Sequence, residues 1–219
     1  MPEDIFLISF DLNLRMYKAD TNGTDDKEIR SRVIQTRKCI ARLNGILWSE
    51  DIRKERELNI YNALIKSSLL YGSETWRLTE NNKRRVEATE MDALRRFSRI
   101  SRKDRIRNVT VRQIRLEEPI IKEIEQNQLT WYGHVQRMAE GRLPKITLMW
   151  MPKQKRARGR PKKNWMEGIR KAMNERNLNE GQWEDRKQWS QVSQNETDRY
   201  IHLSHLNPLN DTVSNYISN

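Results

Sequence analysis

The chain of 219 residues carries 42 Lys and Arg against 30 Asp and Glu, a formal net charge of +12, with three His, one Cys and a hydrophobic fraction of 36%. So polar a chain holds one modest core or two small ones, and its best apolar run, Ile60 to Gly72, is broken by Asn62, Lys66, Ser67 and Ser68, which excludes a membrane helix. Cys39 alone forms neither an internal disulfide nor a multi-cysteine zinc site, and acids precede the short apolar stretch at the amino terminus; a nuclear or cytoplasmic setting is therefore expected, not secretion.

From Asp26, the residues Ile29, Val33, Ile40 and Leu43 fall on one helical face, with Asp25 as N-cap and Gly45 as the stop. Ser49 is expected to cap a second helix to about Leu70, where Ile52, Ile60, Tyr61, Leu64, Ile65 and Leu69 form the widest apolar surface and Gly72 ends the element. Thr79 precedes a third helix to about Ser101, with Val86, Ala93, Leu94, Phe97 and Ile100 inward and a dense Arg and Lys face outward. Thr110 begins a short helix through Leu116, and Pro119 opens another to about Met138, in which Ile120, Ile124, Trp131, Val135 and Met138 share a face. Pro144, Pro152 and Pro161 predict an irregular or briefly extended stretch; residues 145–151, like residues 5–17, carry a weak strand signal. Asn164 caps a last helix through Asn174, with Trp165, Ile169 and Met173 at i, i+4 and i+8, and a short helix from Trp183 to Trp189 follows. Beyond Ser190 the polar, aperiodic sequence predicts a disordered tail.

The charge is concentrated. Residues 83–115 carry +8, from twelve cations against four acids, and residues 152–175 carry +7, whereas residues 1–29 carry −4. Blocks of one sign repel themselves unless solvent or a polyanion relieves them, and nucleic acid is the commonest intracellular polyanion. The run Lys153 to Lys163 has no apolar periodicity and contains Arg158-Gly159-Arg160-Pro161. Glycine permits close backbone approach, proline keeps the chain extended, and the two arginines suit a narrow A·T minor groove, so the tetrapeptide resembles an AT-hook core. A nuclear-import signal and a solubilising linker remain open for the same run. Of seven Trp, Trp76, Trp131, Trp150 and Trp165 neighbour basic stretches where they could stack on unpaired bases; Trp131 and Trp165 are in phase with helical cores, whereas Trp76 and Trp150 fit either role.

No carboxylate cluster suited to paired divalent ions is evident, and Asp25-Asp26 reads as helix capping. His202 and His205 lack a third ligand, and His134 reads as half-buried rather than as a general base, with no carboxylate at i±3 or i±4 to orient it. Phosphate-loop motifs are missing. Neither a cofactor, nor a metal, nor a small-molecule substrate, nor an enzymatic activity of the chain's own is expected.

Four motifs in order carry a family resemblance: Leu70-Tyr71-Gly72-Ser73-Glu74-Thr75-Trp76, a basic helix reaching Leu94-Arg95-Arg96 and Ile100, Leu129-Thr130-Trp131-Tyr132-Gly133-His134-Val135-Gln136-Arg137-Met138, and Gly159-Arg160-Pro161-Lys162-Lys163-Asn164-Trp165. Together, over residues 24–190, they resemble the region downstream of the polymerase active site in LINE-type non-LTR retrotransposon endonuclease–reverse transcriptases. The resemblance implies a thumb-like helical domain at residues 24–105, which grips primer–template duplex in that family, followed by a basic carboxy-terminal extension. The family's catalytic Asp pair, palm and endonuclease have no counterpart in the chain, and residues 1–23 match the upstream segment poorly.

The expected architecture is mainly α: a small thumb-like helical bundle, a helical connector at 106–151, a basic AT-hook-like Pro/Gly linker at 152–163, helices at 164–190 and a disordered tail at 191–219. The expected nucleic-acid contacts are Arg84, Arg85, Arg95, Arg96, Arg99, Arg102 and Lys103 on or beside the third helix, with Lys153, Lys155, Arg156, Arg158, Gly159, Arg160, Pro161, Lys162 and Lys163 on the arm. The expected partner is DNA, RNA or hybrid duplex, with no membrane. Two alternatives stay open: an AT-hook-like chromatin binder, and a decayed retroelement product without function.

Overall fold

Helical periodicity governs the regular elements of the computed structural model, which describes residues 25–49, 51–115, 118–149 and 165–191; no strand occurs among them. They belong to two compact units that divide between Arg99 and Ile100.

In the first unit, α1 (Asp26–Arg42) buries Ile29, Val33, Thr36 and Ile40, the face its spacing predicts. Asp25 precedes it but does not cap it by side chain. The buried Asp25 carboxylate instead accepts hydrogen bonds from the Arg77 backbone N–H at 2.6 Å and its Nε at 3.3 Å, while Asp26 accepts from Asn82 Nδ2 at 2.6 Å. The adjacent acids thus correct the capping expectation: they tie α1 to residues more than fifty positions away. Gly45 is not the stop either, because α1 ends at Arg42 and Gly45 lies inside the short α2 (Asn44–Leu47).

The second helix starts later than expected. Arg53 is extended, α3 (Lys54–Ile60) follows, and the Ser49 hydroxyl accepts only a local bond from the Asp51 N–H. A π-helical turn (Tyr61–Lys66) joins α3 to α4 (Ser67–Leu70). Its wider turn rotates the apolar stripe, so Tyr61, Ile65 and Leu69 are buried while Leu64, expected inside, is 47% exposed. Gly72, at φ 73°, ends the element as expected, in a conformation costly for any residue with a Cβ.

Thr79 caps α5 (Glu80–Phe97), its hydroxyl accepting the Asn82 N–H at 3.3 Å. Val86, Ala93, Leu94 and Phe97 face inward, α5 packs on α1 and α2, and the Phe97 ring meets Tyr61 edge-on at 6.0 Å. The helix stops at Phe97, short of the expected Ser101, as the chain turns through Arg99 at φ 56°.

In the second unit, α6 (Asn108–Arg115) and α7 (Ile120–Gln136) begin close to their predicted starts, with Pro119 at the α7 N-cap. Where extended or irregular chain is expected, α8 (Leu143–Met149) forms with Pro144 in its first turn, a position whose missing N–H costs no helical bond. Then come α9 (Trp165–Glu175), a 3-10 turn (Gln182–Glu184) and α10 at residues 186–191. Leu129, Tyr132, Ile169, Ala172, Met173, Leu178 and Trp189 form this unit's core. Trp189 lies over Gly133: a Cβ there would come within 2.3 Å of the indole Nε1, which donates to the Leu129 carbonyl at 3.0 Å. Trp131 and Trp165 meet edge-on at 5.3 Å, in keeping with the core role, and Trp76 in the first unit is 2% exposed, which settles its role as packing. His134 is exposed, not half-buried as expected.

Candidate nucleic-acid interface

The outward cationic face expected of α5 is narrower than its sequence implies. Arg84 is exposed, but Arg85 and Arg95 are half-buried, and Arg96 pairs with Asp92 at 3.3 Å while also donating to the Asn44 side chain. Arg99 donates to the Ser49 carbonyl and lies 3.4 Å from Glu57, whose side chain is only 2% exposed. A carboxylate so deeply buried requires a counter-charge, so Arg96 and Arg99 are engaged in holding the first unit together.

Immediately beyond the division between the units, the chain concentrates cations on an ordered turn. Ser101 opens a 3-10 turn (Arg102–Asp104) through a capping box: the Ser101 hydroxyl accepts the Lys103 N–H at 3.0 Å, and Asp104 accepts the Ser101 N–H at 2.6 Å. Arg105 follows at φ 52°. Arg102, Lys103, Arg105 and Arg107 are all exposed, and the one acid among them, Asp104, closes the box against the backbone. The capping box holds the backbone of residues 101–104, and Lys103, Arg105 and Arg107 stand exposed on and just beyond it. Arg102 and Lys103 belong to the expected set; Arg105 and Arg107 are additional. The positions Lys153, Lys155, Arg156, Arg158, Gly159, Arg160, Pro161, Lys162 and Lys163 lie outside the described residues, as do Trp150, His202 and His205.

Helix α1 supplies cations outside the two segments of highest charge. Between Arg30 and Arg42 there are five cations and no acid. Arg32 is held at 2.7 Å by Glu28 and stacks 4.2 Å over the Tyr71 ring, whereas Arg30, Arg37, Lys38 and Arg42 are exposed. A local count of acids along this one helix is the signal that would have found them.

Elsewhere burial perturbs a few titrating groups. Desolvation raises the Glu74 carboxyl and the Tyr132 hydroxyl, and it lowers Arg137, with the nearby Arg186 charge acting in the same direction. Among the described residues no cluster of three or more His, Cys, Asp or Glu side chains could hold a metal, and no helix is long and apolar enough to cross a membrane.

The chain is similar to a transposon-derived protein. That relative, an uncharacterized protein of Caenorhabditis elegans, is 28% identical over 157 residues, which cover 66% of this chain and 56% of the relative. The chain thus spans little more than half the length of the curated relative it matches. No family model and no solved structure matches it.

Proposed function

We propose that the chain is the thumb and carboxy-terminal nucleic-acid-binding portion of a non-LTR retrotransposon reverse transcriptase, and that it holds nucleic-acid backbone without catalysing a reaction itself. The observation that carries the binding half of this reading is the capped turn at Arg102–Asp104, with Lys103, Arg105 and Arg107 exposed on and just beyond it. The order of the four motifs and the transposon-derived relative support the origin. Phosphates meeting such a turn release condensed counterions, so affinity depends steeply on salt. The arm from Lys153 to Lys163 adds further phosphate contacts.

The test is fluorescence anisotropy of labelled duplexes against the full chain across a salt series. Each phosphate contact adds about −0.9 to the log–log slope on duplex DNA, so the triple variant Lys103→Gln, Arg105→Gln, Arg107→Gln should flatten it by nearly three. Binding that ignores salt, or no binding at low salt, overturns the proposal.

A further inference from the structure

The two long helices of the first unit present their charge differently. On α5 the exposed residues are Glu80, Asn81, Arg84 and Ala88, so its outermost line carries one cation and one acid. The other cations of that helix, Lys83, Arg85, Arg95 and Arg96, are half-buried. On α1 the exposed residues include Lys27, Arg30, Arg37, Lys38 and Arg42, and none of the exposed residues is acidic. At about 100° per residue these five cations share an arc of about 140°, turned away from the buried Ile29, Val33, Thr36 and Ile40, so the core fixes the face they present. Both acids of α1 lie in its first turn, where Asp26 accepts from Asn82 Nδ2 and Glu28 holds Arg32, and from Ile29 to Ser49 the sequence has no acid. The exposed Arg53 and Arg56, by contrast, belong to residues 50–57, which carry four acids.

Lys38 and Arg42, four residues apart on one helix, repel each other, and an apposed row of anions relieves that repulsion. From Arg30 to Arg42 the helix advances about 18 Å, a length over which duplex nucleic acid carries about ten phosphate charges. We infer that the first unit meets nucleic-acid backbone through α1 rather than through α5, with Arg30, Arg37, Lys38 and Arg42 on phosphates. Phosphate contacts position a protein without reading sequence, so the α1 face serves duplexes of any base composition alike. The inference rests on the nucleic-acid reading above and gives it a second face, distinct from the turn at 102–107.

The full chain is titrated by fluorescence anisotropy against labelled A·T-rich and G·C-rich DNA duplexes across a salt series, with poly-glutamate as competitor. The pairs Arg37→Gln, Lys38→Gln and Arg30→Gln, Arg42→Gln, all at exposed positions, should each flatten the log–log slope by nearly two on both duplexes and leave the helical circular dichroism unchanged. Arg84→Gln on α5, and the pair Arg53→Gln, Arg56→Gln, should each change the slope by less than about 0.5. If the chain binds but the α1 pairs shift the slope no more than these controls do, the inference falls while the turn at 102–107, read by its own triple variant, stands. A loss confined to one duplex composition, or poly-glutamate displacing DNA at equal charge concentration, also overturns it. No nucleic-acid binding at all removes both readings together.

Discussion

Single residues in this protein divide sharply between holding and presenting charge. Arg99 and Arg84 look alike in sequence, yet Arg99 neutralises the buried Glu57 whereas Arg84 points to solvent. Arg99→Ala should destabilise the first unit by about 1 kcal/mol, because it removes a counter-charge from a buried carboxylate. Arg84→Ala should change stability by less than about 0.5 kcal/mol; urea melts distinguish the two. Asp25→Ala removes the acceptor of the Arg77 backbone N–H and should cost about 1–3 kcal/mol in the same assay. Glu74 provides a pH test with a definite sign. Burial raises its folded-state pKa, so its contribution favours folding below the unfolded carboxyl range and is lost as pH rises through the raised value. Glu74→Gln should therefore gain in melting temperature over wild type at pH 7 and lose that advantage near pH 4, as a thermal melt at each pH would register.

At the scale of elements, glycines in two helices make opposite predictions. Gly168 in α9 has open space where a Cβ would go, so Gly168→Ala should stabilise by up to about 1 kcal/mol. Gly133→Ala in α7 must displace Trp189 and should destabilise by about 1–3 kcal/mol despite the better helix propensity; calorimetry on the pair gives both signs. The spacing of Ile29, Val33 and Ile40, and the cap at Thr79, were legible in sequence because periodicity and capping are local. The Asp25–Arg77 tie, the burial of Glu57 and the Trp189–Gly133 contact were not, because each joins residues more than forty positions apart. The π-helical turn at Tyr61–Lys66 shows the same limit: regular spacing places Leu64 inside, and one wide turn exposes it. For the candidate interface, the sequence locates the charge but not its availability, since engagement with Glu57, Asp92 or Asn44 decides which arginines are open to phosphate.

The whole molecule carries its net charge of +12 on two units with separate cores. Substitutions in different units should act independently, so Asp25→Ala and Gly133→Ala should combine additively to within about 0.5 kcal/mol, each lowering its own step in a thermal melt that resolves both. Charge screening separates the roles of the arginines at this scale too: salt should weaken ligand binding through Lys103 and Arg105 more than it weakens the Arg99–Glu57 pair, whose carboxylate is buried. The indole of Trp189 has a consequence for synthesis. It closes over a helix sixty positions earlier in the chain, donating to the Leu129 carbonyl, so α7 leaves the ribosome several seconds before its lid exists, at about 5–20 residues per second. During that interval Leu129 and Tyr132 lack part of their cover, and a nascent chain stalled or truncated before residue 189 would present them to chaperones and proteases as a persistent sticky face.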